Sequence, residues 1–332
     1  MVTIREVASE AGVSVATVSR ALRGLPSVAP ATRDRVLEVA DRLRYVPDPY
    51  AARLASTRAH TIIVAVPLPG QWYYAQVVAG VEAVASEAGM DLQLHVVGDD
   101  VQRRHFVEDV LPHQRRIDGA ILVDIPLDND DVMKLLDRGT TLVGVGQHIE
   151  GIVTIGIDNR RAAQEATTHL ISCGRRRIGL LGGMPEGWTR LSIPGEREAG
   201  YREALVEAGL EIDETIIVSG NFSVAGGFDA TSELLPSATP PDGLFALSDE
   251  MAAGAIQAAR RVDVGVPDDL AIVGFDDHEF SEAMGLTTVR QPVAELGELA
   301  AQALLDAVEG TPWQEDRVLA HHLVVRATSC PR

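Results

Sequence analysis

Cysteine, lysine and aromatic residues are all scarce in this 332-residue chain, and each scarcity excludes something. The two cysteines, Cys173 and Cys330, make neither a disulfide framework nor a metal-ligand spacing, which predicts reduced bystander thiols. Lys134 is the single lysine, so almost all positive charge is guanidinium, suited to bidentate contacts with guanine and phosphate. No apolar run approaches the roughly 18–20 residues of a membrane span, and the first residues lack a basic-plus-apolar export region. No membrane partner and no export are expected, and a cytoplasmic location follows. The net charge of −19 argues at first against a polyanionic partner. Its distribution reverses that. Residues 1–60 carry nine arginines against six acids, whereas the remainder holds 20 basic and 42 acidic residues. A basic end on an acidic body docks by that end alone.

What is present begins at the same end. Residues 2–23, VTIREVASEAGVSVATVSRALR, read as two short helices joined by a glycine turn. Ile4, Val7, Ala8 and Ala11 recur at helical spacing, and Gly12 sits at a turn that favours positive φ. Val13 fills the angle, and Ser14 caps a second helix from about Val15 to Leu22. Val18, Ala21 and Leu22 face inward, leaving Val15, Ala16, Ser19 and Arg20 outward. So short a helix is not stable alone; its use is to be presented. That is the design of a helix-turn-helix, whose second helix enters the DNA major groove. Pro30 suits the first position of a third helix, with Val36, Val39, Ala40 and Leu43 as its buried stripe and an end near Tyr45-Val46-Pro47.

From Thr61 onward, valine- and isoleucine-rich strands alternate with helices. Strands are expected near residues 61–66, 91–97, 119–123 and 141–145, with helices at about 74–88, 101–114 and 128–137. A second set repeats the layout: strands near 177–181, 215–218, 243–247 and 270–274, helices near 160–172, 196–208, 224–235 and 249–260. Two parallel α/β lobes of similar size imply a clamp around a cleft, with ligands at the carboxyl ends of the strands. The loop after the first strand concentrates Trp72, Tyr73 and Tyr74 in a chain that is only 4% aromatic. Such faces stack on sugar C–H surfaces or flat bases, or else simply open the next helix and pack inward.

The order VTIREVASEAGVSVATVSRAL, VAPATRDRVLEVADRLRYVPD, AARLAS resembles the N-terminal module of the LacI/GalR family of bacterial repressors, and the likeness continues to the end of the chain. The resemblance implies an N-terminal all-α helix-turn-helix DNA-binding domain plus an α/β periplasmic-binding-protein-like two-lobe effector domain, with parallel sheets and helices on both faces. It places the DNA-binding domain at 1–47, a hinge helix or linker at 48–59, and an effector-binding and dimerisation domain at 60–332. Lobe one would be about 60–158 and 292–320, lobe two about 159–291 and 321–332. On helix two, Val15 and Ala16 would pack on thymine methyls and Arg20 would read guanine. Thr17, Ser19, Thr32 and Arg33 would hold phosphates, Leu54 would wedge into the minor groove, and Thr3, Ser14, Arg23 and Tyr45 complete the DNA-contacting set. In the cleft, the resemblance implies Gln71, Trp72, Tyr73, Tyr74, Gln147, Arg197, Phe222, Ser248, Asp249, Asp276 and Gln291 as effector contacts. The segment from Val266 to Asp276 matches the family motif VP-x-D-[IVL]-x-[IVL]-x-G-[FY]-D.

Three positions depart from the family pattern. Asp48 replaces an asparagine, Ala29 replaces a serine cap, and Gly146 stands where the family often presents an acid after the fourth strand, with Gln147 beside it as a substitute. Enzyme motifs are missing: no G-x-G-x-x-G follows a strand, and there is neither a Walker loop nor a G-x-S-x-G elbow. The consecutive residues Asp276 to Glu279 do not converge on one ion, and His321 and His322 point to opposite faces of a strand. No catalytic residue, cofactor or metal is expected. The expectation is a homodimeric repressor whose affinity for pseudo-palindromic double-stranded operator DNA is set by a sugar bound between the lobes. A purine or nucleoside co-repressor is the alternative, and a sugar-binding protein without a DNA role the rival; no heptad tail points to a tetramer.

Overall fold

The computed structural model describes residues 2–22, 24, 26–45, 59–113, 117–183 and 192–330. The expected end of helix three at Val46-Pro47, the hinge segment from Asp48, Arg23 and Leu54 lie outside them. The chain forms two compact units, Met1–His60 and Thr61–Arg332.

The first unit contains α1 (Ile4–Ala11), α2 (Val15–Leu22) and α3 (Pro30–Arg42). Val7, Ala8, Ala11, Val18, Ala21, Val36, Val39 and Ala40 form its core, with Ile4, Leu22, Leu43 and Tyr45 packed partly against it. Gly12 ends α1 at φ 63°, in the left-handed region where a side chain is strained. Thr3 and Glu6 close a capping box that satisfies both ends of the first turn: the Thr3 N–H donates to Glu6 Oε2 at 2.6 Å and the Glu6 N–H to Thr3 Oγ1 at 3.4 Å. Ser14 Oγ likewise accepts the Thr17 N–H at 3.1 Å, which starts α2. Ala29 precedes Pro30 with no side-chain bond to the first turn of α3. That helix stops at Arg42, sooner than its apolar stripe suggests, because Arg44 turns to φ 52°.

The second unit holds two six-stranded sheets. Strands β1 (Thr61–Val66), β2 (Asp91–Val96), β3 (Gly119–Val123), β4 (Leu142–Val145), β5 (Val153–Ile157) and β11 (Arg317–Leu319) form the first, in the order β11-β5-β4-β3-β1-β2, all parallel. The second runs β12-β10-β9-β8-β6-β7, from β6 (Ile178–Gly182), β7 (Ile217–Ser219), β8 (Gly243–Ala246), β9 (Ala271–Asp276), β10 (Thr287–Arg290) and β12 (His322–Val324), with only β12 antiparallel. A parallel strand covered on both faces must be apolar throughout, and β1 shows how. Ile62, Val64 and Val66 join one core, while Ile63 and Ala65 point to the other. The first core is closed by α4 (Trp72–Glu87) and α12 (Val293–Val308). The second is closed by α5 (Asp100–His105), which runs on through a π-helical turn, and by α6 (Asn129–Asp137). Around the second sheet lie α7 (Asn159–Ser172), α8 (Ser192–Glu207), α9 (Val224–Leu234), α10 (Asp249–Arg261) and the short α11 (Ser281–Met284).

The chain passes between the sheets three times: after β5, between β10 and α12, and between β11 and β12. The second and third passages place β10 to β12 and α12, elements that the alternating pattern of the sequence does not reveal. The thiols also differ from expectation. Cys173 and Cys330, 157 residues apart, are joined in a disulfide with Cα atoms 5.3 Å apart. Spacing along the chain hid the pair because the last passage returns the tail to the end of α7. Removing the capping hydroxyl by Thr3→Ala is expected to cost the first unit about 1 kcal/mol. Thermal unfolding followed by circular dichroism checks this: the first unit melts earlier while the transition of residues 61–332 stays in place.

Candidate functional site

In both sheets the strand order reverses direction at a switch point, between β1 and β3 in one and β6 and β8 in the other. Carboxyl-end loops diverge there and leave a crevice. The two crevices face each other across about 530 Å³ of empty space lined by Gln71, Tyr73, Tyr74 and Asp124 from one lobe and Ile193, Pro194, Arg197, Phe222, Ser248, Glu250 and Asp276 from the other. Seven of the eleven effector contacts expected from the sequence therefore converge. Gln71 also spans the gap, its Nε2 donating to the Phe222 carbonyl at 3.2 Å.

Arg197, only 6% exposed, is the positive centre. Its Nε donates to Asn159 Oδ1 at 2.9 Å and its Nη1 to the Leu247 carbonyl at 2.7 Å, and the guanidinium lies 3.6 Å above the Phe275 ring. Those contacts fix the plane of the fork while leaving donors for a ligand. Two buried carboxyls flank it. Asp276 accepts from Gln291 Nε2 at 2.5 Å; burial pushes its carboxyl well above the usual range, and Arg197 only partly opposes this. Asp124 accepts from the Gln147 N–H at 3.2 Å and from the Tyr74 phenol, and burial raises it to about 7 against the pull of Arg197. Burial likewise holds the phenols of Tyr73 and Tyr74 well above their ordinary value, so both are neutral donors. Asp124, Phe222 and Asp276 have φ of 52°, 48° and 111°, conformations costing roughly 1–3 kcal/mol each in residues other than glycine. Three such residues in one lining make this cavity the candidate functional site.

The other four expected contacts lie elsewhere. Asp249 is a correction: it is fully buried behind the wall, accepting from the His278 N–H at 2.8 Å and from the hydroxyls of Ser281 and Thr288 at 2.6 Å each. As the first residue of α10 it turns into the loop after β9, and a Cβ on Gly274 would overlap it. Gln291 stands behind Asp276 as its hydrogen-bond donor. Trp72 bridges the lobes at the rim, its ring 4.9 Å from His278, which stacks at 3.8 Å on Phe280. Gln147 offers Asp124 its backbone N–H, and its side chain is not among the lining groups. The acid missing after β4 is supplied instead from the end of β3. Gly146 is what makes room, since a Cβ there would collide with Asp124 Oδ1. Asp124 directly follows the apolar run 119–123, so the rule that ligands sit at strand carboxyl ends was signal enough to find it. Glu250, Ile193 and Pro194 carried no comparable mark.

On the helical unit, Val15 (41% exposed), Ala16 and Arg20 lie on the outer face of α2, with Thr17 and Ser19 half-buried beside them. Ser14 and Thr3 spend their hydroxyls on caps. Thr32 is half-buried, Arg33 donates to the Gly24 carbonyl at 3.1 Å, and Tyr45 packs on the helical core.

A two-lobed small-molecule clamp together with a helix-turn-helix defines a ligand-responsive, non-enzymatic DNA-binding regulator. The chain belongs to the LacI family. Residues 3–48 match the bacterial regulatory proteins of the lacI family and residues 167–329 the periplasmic binding protein-like domain. The chain is 34% identical over 337 residues to the HTH-type transcriptional regulator CelR of Thermobifida fusca, covering 98% of this chain and 97% of that one. Identity to the HTH-type transcriptional repressor CytR of Escherichia coli (strain K12) is 32%, covering 98% and 96%. Among solved structures, it is similar to a lac repressor dimer bound to operator and the anti-inducer ONPF, with TM-score 0.86, 26% identity and 99% of each chain covered. It also matches a CelR–cellobiose complex with TM-score 0.70 and 32% identity, covering 99% of this chain and 100% of that one.

Asp124 yields a pH test. A carboxyl that titrates near 7 when folded and near its ordinary 3.8 when unfolded makes folding less favourable as pH rises between those values. Asp124→Asn removes that loss. Its melting temperature relative to the parent chain is expected to climb from about pH 4 to about pH 8, where a purely steric effect gives a constant offset.

Proposed function

We propose that this chain is a homodimeric cytoplasmic repressor that grips pseudo-palindromic operator DNA with two copies of α2 and is switched by a neutral sugar held between its lobes. In this reading residues 1–47 bind DNA, 48–59 connect, and 60–332 bind effector and dimerise, with lobes of about 60–158 and 292–320, and 159–291 and 321–332. The outer face of α2 supports the first part: Val15 and Ala16 suit thymine methyls, and Arg20 suits the acceptor edge of guanine. The dimer draws support from edge strand β2, which leaves Leu94 and Val96 45% and 51% exposed, and from the dimeric lac repressor relative.

The observation that carries the effector class is the mixture of hydrogen-bonding groups in the cleft. Asp124, Glu250 and Asp276 lie with Arg197 along its wall, and Tyr73, Tyr74 and Phe222 supply flat faces. Carboxyls, phenols and a guanidinium side by side offer both acceptors and donors, which suits the many hydroxyls of a neutral sugar. The cellobiose bound by the CelR relative is of that kind. A nucleoside is the second reading, because the same three aromatic faces accept a base.

Two substitutions separate the parts. Arg20→Ala is expected to lose about 1–3 kcal/mol of discrimination between operator and random duplex in a mobility-shift titration. Arg197→Ala is expected to bind operator as the parent does while failing to respond to any sugar that raises the parent's melting temperature. Normal discrimination in the first, or a normal response in the second, removes that residue from its role.

A further inference from the structure

The back of lobe two carries a cluster that the effector mechanism does not use. His169 and Cys173 lie one helical turn apart at the end of α7, and Cys330 comes from the tail. The ligating atoms of all three lie within 4.8 Å of one another. We propose that His169, Cys173 and Cys330 form a redox-gated site for a thiophilic divalent cation of the zinc type, bound by the reduced trio and excluded by the disulfide.

Three features support it. First, Nε2 of His169 and Sγ of Cys173 are 3.6 Å apart, close to the edge of about 3.6 Å that tetrahedral zinc–nitrogen and zinc–sulfur bonds subtend. Second, the tail does not depend on the disulfide for its place. The Thr328 hydroxyl donates to the Ile272 carbonyl at 2.8 Å, the Ile272 N–H returns to the Thr328 carbonyl at 2.7 Å, and Ser329 Oγ pairs with Thr287 Oγ1 at 2.8 Å. Cys330 therefore stays beside Cys173 after reduction, a preformed pair of soft ligands. Third, an open groove along α7 has His169 and Ser172 on its wall and gives an ion its route.

Nε2 of His169 exchanges its 2.8 Å contact with Ser329 Oγ for the metal, and Ser329 keeps Thr287 as a partner. With three protein ligands, a fourth position remains for water. The chemistry balances. A phosphine reductant and one water convert the disulfide to two thiols and a phosphine oxide. The cation then displaces both thiol protons, which leave to solvent.

Cobalt(II) is the probe. Because the chain has only two cysteines, any thiolate-to-cobalt charge-transfer band must come from this pair. Full-length chain reduced with a phosphine and desalted without air is expected to develop that band, saturating at one equivalent and bleached by zinc. Unreduced chain is expected to show none. Cys173→Ser with Cys330→Ser abolishes the band, and His169→Ala weakens cobalt binding by about tenfold or more while the band persists. The reduced and oxidised forms of the unmutated chain make the decisive comparison, so misfolding of a variant leaves the test intact. No band on reduction, an equal band without it, or full affinity in His169→Ala with its fold preserved overturns the proposal.

Discussion

One buried guanidinium organises the cleft. Arg197 is fixed within its own lobe by Asn159, the Leu247 carbonyl and the face of Phe275, and it acts electrostatically on carboxyls of both lobes, Asp124 and Asp276. Neither carboxyl is fully compensated, which is why burial dominates both titrations. A cleft built this way keeps hydrogen-bonding capacity to spare on its carboxyls, phenols and guanidinium. A ligand rich in hydroxyls supplies donors to the acids and acceptors to the arginine at once. Binding energy is thus largest when the lobes are together, and that difference between lobe arrangements is what an effector uses to shift a conformational equilibrium.

The frame that holds these groups is less negotiable than the groups themselves. Asp249 stitches α10, the loop after β9 and β10 together with three hydrogen bonds, which hold the chain that follows Asp276 at the end of β9. The positive φ at Asp124, Phe222 and Asp276 is tolerated because such neighbours over-determine it. Across the rim, the Trp72 ring meets His278 of the other lobe in a tilted contact, and His278 stacks on Phe280. A ring contact of this kind lacks the strict geometry of an ion pair, so it permits the lobes to part and reclose.

Much of this was legible in the residues. The three-helix unit, its left-handed turn at Gly12, and the strands of both lobes up to β9, apart from β5, follow from periodicity and turn chemistry. Local pattern failed where the chain changes lobe: β10, β11 and β12 are short, and their partners lie far away in sequence. The disulfide was hidden for the same reason, its halves being neighbours only after the last passage. In the cleft, most of the residues singled out from the sequence line the cavity, but not all of them turn their side chains into it. Asp249 sits next to a lining serine yet turns its carboxylate away, a choice set by hydroxyl donors on β10 and α11. Gly146 read as a lost acid, whereas three-dimensionally it is the space that Asp124 occupies.

The central claim is that ligand in the cleft and DNA on the helical unit are thermodynamically linked. The most direct test measures the affinity of the protein for operator with and without the small molecule that most raises its melting temperature, and the affinity for that molecule with and without operator. Linkage requires the two ratios to be the same factor, and the account predicts a factor well away from one. Equal affinities in all four states, with both ligands bound, would contradict it.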